Sequence, residues 1–124
     1  MVRVLIADNS VAVRDGLASL LNQTSGFRVV GLAGDGLEAV QKAGELLPDV
    51  VIMDAQMPNM DGVEATRRIK RELPTVGILF FSVFADYLEA SVAAGSDGYL
   101  NKDCSPSELF NEIRRIALGS QADS

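Results

Sequence analysis

The sequence predicts an α/β protein in which a five-stranded parallel sheet is covered by helices on both faces. Three observations lead there. Short apolar runs alternate with amphipathic segments along the 124 residues. The runs are rich in Val, Ile and Leu and most lack polar alternation, which is how strands buried on both faces read. The segments between them carry apolar residues at helical spacing, as crossover helices of a parallel sheet must.

The elements follow in order. VRVLIA (2–7) is the first run, and Val13, Leu17, Leu20 and Leu21 then fall on one face of a helix capped by Asn9 or Ser10. After FRVVGLA (27–33), Leu37, Val40 and Leu47 mark a second helix, with Asp35 and Glu38 as a capping pair. DVVIM (49–53) is the third run; Asp61 and Glu64 open the next helix, which carries Ile69 and Leu73. VGILFF (76–81) is followed by a short helix marked by Leu88 and Val92. DGYL (97–100) precedes the best-signposted helix, with Ser105 as cap, Pro106 at its first position and Glu108 three after the cap. Leu109, Ile113, Ile116 and Ala117 form its apolar stripe, and Gly119 is its expected stop. Residues 1–119 read as one domain and 120–124 as a tail or the start of a linker.

Composition removes several function classes. Apolar residues make up 48% and charged residues 23%, a globular balance. With 11 basic against 17 acidic residues the net charge is −6, which argues against nucleic acid or an anionic membrane as the partner of this chain. One cysteine, Cys104, cannot make an internal disulfide, and the run at 2–7 is too short for a signal sequence or a membrane span, so a cytoplasmic protein is expected. Histidine is absent, which excludes Ser–His and Cys–His catalysis, imidazole metal sites and a phosphohistidine within the chain. Other features read as structural. Arg67, Arg68, Lys70 and Arg71 form a solvated helix face, Arg114 and Arg115 suit the end of the last helix, and Met53, Met57 and Met60 are packing residues.

Ligands of open α/β sheets bind beyond the carboxyl ends of the strands. There the sequence places Asp8 and Asn9, Asp54, Ser82 and Lys102, whereas the second run is followed only by Ala33 and Gly34. A strand order of 2-1-3-4-5 makes the first and third strands neighbours and brings Asp8 and Asp54 about 4.8 Å apart; an order with the second strand between them doubles that separation. Two carboxylates converging with an amide, a hydroxyl and an amine suit a hard cation and a phosphoryl group. A carboxylate can itself attack phosphorus to give an acyl phosphate, and catalysis of that step is mostly positioning and charge neutralisation.

These residues resemble the receiver domain of bacterial two-component response regulators over essentially the whole chain. DVVIMDAQMPNMDGVEATRRIK (49–70) carries most of the likeness, and VLIADNS, SVF and GYLNKD fall in the family's order. Lys102 followed by Asp103, and the stretch ELFNEIRRIALG, are similar to the LuxR/FixJ-type transcriptional regulators. The resemblance implies a flavodoxin-like five-stranded parallel sheet, order 2-1-3-4-5, with five surrounding helices. It implies that Asp54 takes a phosphoryl group from a sensor histidine kinase, that Asp8, Asp54 and the backbone carbonyl of Gln56 hold Mg²⁺, and that Ser82 and Lys102 bind the phosphoryl group. Tyr99 is then the aromatic switch that turns inward when Ser82 moves, and the face from the fourth strand to the fifth helix controls homodimerisation or an output domain. DNA is reached only through such an output domain, and the chain is a switch with at most self-phosphorylation and self-dephosphorylation chemistry, not an enzyme.

Two departures stand out. Receivers usually carry two consecutive acids after the first strand, and here the second is Asn9, a metal-site candidate whose amide presents an oxygen but no charge, so Mg²⁺ binding is expected to be weaker than in an ordinary receiver. Val83 stands where the family often has a smaller residue and is expected to narrow access to Asp54. The alternative within the family is a phosphorylation-independent dimerisation or ligand-binding module with a weakened metal site at Asn9. A flavodoxin-like redox protein and an aspartate-nucleophile phosphatase are disfavoured. No phosphate-cradling loop follows the first strand, and Gln56 stands where the phosphatase needs its second acid.

Overall fold

The computed structural model describes residues 1–122. Five parallel strands, β1 (Val2–Ala7), β2 (Phe27–Ala33), β3 (Val50–Met53), β4 (Gly77–Ser82) and β5 (Gly98–Asn101), form one sheet in the order β2-β1-β3-β4-β5. Five helices alternate with them: α1 (Val11–Asn22), α2 (Gly36–Leu46), α3 (Gly62–Glu72), α4 (Leu88–Ala94) and α5 (Pro106–Ala122). A single 3₁₀ turn, Ala85–Tyr87, leads into α4. The strand order and the alternation are those expected from the sequence; the limits of β1 and β2 coincide with it and those of β3, β4 and β5 differ by one residue.

Pleat alternation sorts the core into two layers. Leu5, Ala7, Val51, Met53, Ile78 and Phe80 face one way and pack with Ala39 and Ala43 of α2 and Ala65 and Ile69 of α3. Val4, Ile6, Val50, Ile52, Leu79 and Phe81 face the other way, onto Leu21 of α1 and Leu109, Ile113, Ile116 and Ala117 of α5. All six residues of β4 and all four of β3 are buried, which explains their unbroken apolar runs.

Helix starts follow the expected chemistry. Ser10, Asp35 and Asp61 accept from the backbone N–H groups of Val13, Glu38 and Glu64 at 3.3, 2.7 and 2.9 Å. Ser105 Oγ accepts from Glu108 N at 3.2 Å, and Glu108 reaches back to Ser105, which completes a capping box. Ser10, not Asn9, therefore caps α1.

Four local readings are corrected. Leu88 and Val92 do not form the inner face of α4; they are 46% and 60% exposed, and Ser91 and Ala94 are buried instead. In α2, Leu37 and Leu47 are exposed, Leu47 being a left-handed cap at φ 48°, and the small residues Ala39 and Ala43 make the contact. Gly119 does not stop α5, which continues to Ala122; Arg114 and Arg115 thus sit mid-helix, Arg114 over the Phe27 ring at 4.8 Å and Arg115 bonded to Glu112 and the Asp97 carbonyl. Lys70 is not part of a solvated face. Its ammonium donates to the carbonyls of Pro74 and Val76 and to Asp97, fastening the end of α3 to the start of β4. Arg67 and Arg68 pair with Glu64 as a solvated face does. Among the described residues, no helix is long and apolar enough to cross a membrane.

Candidate functional site at the carboxyl rim of the sheet

The ladder itself positions the acids. Ala7 pairs with Met53 in register, so the next residues, Asp8 and Asp54, leave adjacent strands side by side. Their backbones are fixed one step beyond the strands: Asp8 N donates to Ala33 O at 3.0 Å and Asp54 N to Ala7 O at 2.9 Å. Both residues are buried, Asp8 at 2% and Asp54 at 7% exposure. Gly62, the first residue of α3, presses on Asp54 from behind. A Cβ there would lie 1.9 Å from the Asp54 carbonyl oxygen, so only glycine allows this approach.

Lys102 joins them from the far side. β4 and β5 run further along the rim than β1 and β3, with Ser82 opposite Asn101, and Lys102 N donates to Ser82 O at 3.0 Å. From there the ammonium reaches over to Asp8 Oδ2 at 2.6 Å and Asp54 Oδ1 at 3.2 Å. The other Asp8 oxygen accepts from Ser10 N at 2.9 Å. One ammonium thus serves two carboxylates. Burial, and next the neighbouring Asp8 charge, push the Asp54 carboxyl above its ordinary range in spite of Lys102. Burial pulls the Lys102 ammonium down, but hydrogen bonds and attraction from both acids outweigh it, and its pKa ends above the ordinary value.

Ser82 is buried at the same rim. Its hydroxyl oxygen accepts from Phe84 N at 3.1 Å, and among the described residues its proton has no acceptor. Tyr99 is half-buried. Its ring stacks on Phe80, centroids 5.7 Å apart, and its hydroxyl donates to the Phe84 carbonyl. Asn9 is exposed and does not reach into the acid pair's hydrogen bonds; it lines a neighbouring cleft of about 470 Å³ with Ala55, Gln56, Pro58, Asp61 and Tyr87. Across that cleft Gln56 Nε2 donates to Tyr87 Oη at 2.8 Å. Sequence reasoning overlooked Tyr87 and also Arg14, whose guanidinium donates to the Asp8 carbonyl at 2.7 Å. Arg14 bonds to a backbone carbonyl, so no pattern of residue types advertises it; it lies four residues after the cap of α1.

The sequence matches the family described as response regulator receiver domain over residues 4–114. The chain belongs to the response regulator receiver family. This receiver is 38% identical over 120 residues to the response regulator protein VraR of Staphylococcus aureus, a match covering 95% of this chain and 57% of that protein. It therefore spans little more than half the length of the curated relatives it matches. Among solved structures, the response regulator domain of Thermotoga maritima CheB superposes with a TM-score of 0.87 at 33% identity, covering 94% of the receiver and 96% of that chain. A LuxR-family two-component response regulator from Aurantimonas sp. SI85-9A1 gives 0.90 at 33% identity, covering 96% and 86%. VraR and the LuxR-family regulator accord with the LuxR/FixJ-type likeness of the receiver's own motifs.

Proposed function

We propose that this receiver is a phosphoryl-accepting switch in which Asp54 takes the phosphoryl group from a sensor histidine kinase in the cytoplasm. The observation that carries the reading is the Lys102 ammonium held between Asp8 and Asp54. It marks one site where a nucleophilic carboxylate, a cation and, at the same rim, a hydroxyl with an unassigned proton converge. In the transfer, an Asp54 oxygen bonds to phosphorus while the donor's P–N or P–O bond breaks and its electrons leave with the donor. Lys102 neutralises charge on the phosphoryl oxygens, and Ser82 donates to one of them.

The donor set fits Mg²⁺. All the candidate groups are oxygens, and two carboxylates sharing one ammonium leave a net negative charge that a divalent ion would balance. Asp8, Asp54 and the Gln56 carbonyl would hold it, with the Asn9 amide oxygen within the same loop. When bound, the ion supplies charge neutralisation at the phosphoryl oxygens. Ser82 turning toward the phosphoryl group gives up the bond from Phe84 N, and Tyr99 holds the carbonyl of that same Phe84. Rearrangement at Ser82 is thereby passed to the β4–α4 segment and β5, which controls homodimerisation or a transcriptional output domain that contacts DNA.

The test is intact mass after incubation with acetyl phosphate and Mg²⁺. One phosphoryl group is expected on the parent chain and none on Asp54→Ala; a parent chain that stays unmodified refutes the proposal. A second reading has its own support. Asn9 is uncharged and exposed, so the rim offers a cation one acid fewer, which suits a phosphorylation-independent dimerisation or ligand-binding module with a weakened metal site. In that case the mass does not change, and self-association measured by sedimentation is the same for the parent and Asp54→Ala.

A further inference from the structure

The loop that joins β3 to α3 (55–61) is pinned at its base, middle and tip. At the base Gly62 N donates to Ala55 O at 2.9 Å. In the middle Met57 and Met60 pack on the apolar layer between the sheet and α2 and α3. At the tip Asn59 Nδ2 donates to Asp35 Oδ2 at 2.9 Å, a bond to the residue that caps α2. Asp35 divides its oxygens between the two tasks, since Oδ1 accepts from Glu38 N at 2.7 Å. The bond from Glu38 N, and next that from Asn59, hold the Asp35 carboxyl below its ordinary range, so the acceptor is a full carboxylate at neutral pH.

The tip is not a relaxed turn. Met60 N donates to Pro58 O at 2.7 Å, which closes a three-residue turn about Asn59, and Asn59 holds φ 67°. Such turns with positive φ are rare and strained, and a residue other than glycine enters that region against a steric cost. Beside it the Met60 carbonyl lies against Gly36, where a Cβ would come within 2.0 Å of the oxygen. Apolar packing is non-directional, and it leaves Gln56 exposed. The Asn59–Asp35 bond adds a directional tie from the tip to a separate element, α2.

We propose that Asn59 and Asp35 form a latch that fastens the tip of this loop to α2 and so positions the Gln56 carbonyl for the divalent cation. Both are positioning residues, since neither is among the groups that would hold the ion. The inference rests on the reading of Asp8, Asp54 and the Gln56 carbonyl as the ion's ligands. With the latch closed, the loop is ordered before the ion arrives. With it open, the strained turn relaxes, the carbonyl leaves its place in part of the population, and binding must first restore the order.

The experiment compares the parent chain, Asn59→Gly, Asp35→Ser and the double variant. Asn59→Gly removes the carboxamide, leaves the charge unchanged and suits the left-handed backbone. Asp35→Ser keeps a cap for α2, but its single oxygen is taken by Glu38 N. Mg²⁺ affinity is read by calorimetry, the Gly62 amide by hydrogen exchange in metal-free buffer, and folding stability by urea unfolding. Asn59→Gly is expected to bind Mg²⁺ about threefold or more weakly, the change expected for one hydrogen bond, and to exchange the Gly62 amide faster by a similar factor. Its stability is expected to change little, because glycine relieves the left-handed residue as the bond is lost. A role confined to folding would do the reverse, lowering stability and sparing affinity. Asp35→Ser is expected to weaken binding too, and its effect to shrink in the Asn59→Gly background, where the bond is already gone. Unchanged Mg²⁺ affinity in Asn59→Gly, an unchanged Gly62 amide, or effects of the two substitutions that multiply overturn the inference while leaving the Asp54 reading intact. A parent chain that binds no Mg²⁺ overturns the inference and, where it also gains no mass from acetyl phosphate, the phosphoryl-accepting reading with it.

Discussion

Lys102 is shared between two buried carboxylates, and the charge balance of the site follows from that ratio. Asp54 is desolvated and lies beside the Asp8 charge, which together raise its pKa against the pull of Lys102. An acid whose pKa is higher in the folded than in the unfolded chain adds stability at low pH and withdraws it as pH rises through the folded value. Asp54→Asn is therefore expected to be more stable than the parent at pH 7 in metal-free buffer, by about 1 kcal/mol in urea unfolding, and to lose phosphoryl acceptance with it. The advantage is expected to shrink as pH falls toward 3.8, the ordinary carboxyl value. An advantage that persists undiminished in acid would show that charge is not its cause. At the neighbouring position, Asn9→Asp restores a second negative charge to the loop and is expected to bind Mg²⁺ about tenfold more tightly in calorimetry; equal affinities would remove Asn9 from the metal site.

At the level of elements, the rim is held from behind by the start of α3. Gly62→Ala would drive a methyl into the Asp54 carbonyl, which cannot retreat because Asp54 N is bonded to β1. A loss of about 1–3 kcal/mol in urea unfolding is expected, with slower acetyl phosphate loading because the carboxylate moves with its backbone. The strands were legible in the sequence because both faces of β1, β3 and β4 are buried and need no polar residues. The rule that ligands gather beyond strand ends pointed to Asp8, Asp54, Ser82 and Lys102, which the fold brings to one rim. Helix faces were less legible. In α2 and α4 the sheet or a neighbouring helix comes close enough to be met by Ala39, Ala43, Ser91 and Ala94, while the large residues Leu37, Leu88 and Val92 stay outside. Size and hydrophobicity therefore pointed to the wrong side. Arg14 and Tyr87 were invisible for other reasons, since Arg14 bonds a nearby backbone carbonyl and Tyr87 bonds Gln56, a partner distant in the chain.

For the molecule as a whole, a ligand that binds only the folded state raises stability by mass action. Mg²⁺ at about ten times its dissociation constant is expected to add about 1.4 kcal/mol, or roughly 5 °C in melting temperature for a domain of this size. EDTA should reverse the shift, and Asp8→Asn should abolish it; a shift that survives in Asp8→Asn would place the cation elsewhere. The fold makes such coupling global, because the acids sit on central strands and the lysine follows β5, at the sheet's edge.

The bond between Lys102 and Asp8 closes a loop of 94 residues. During synthesis, a polypeptide that has left the ribosome only as far as β4 already displays both acids without their counter-charge. The charge balance at this rim thus comes into being only when translation has passed the fifth strand, because Lys102 follows β5.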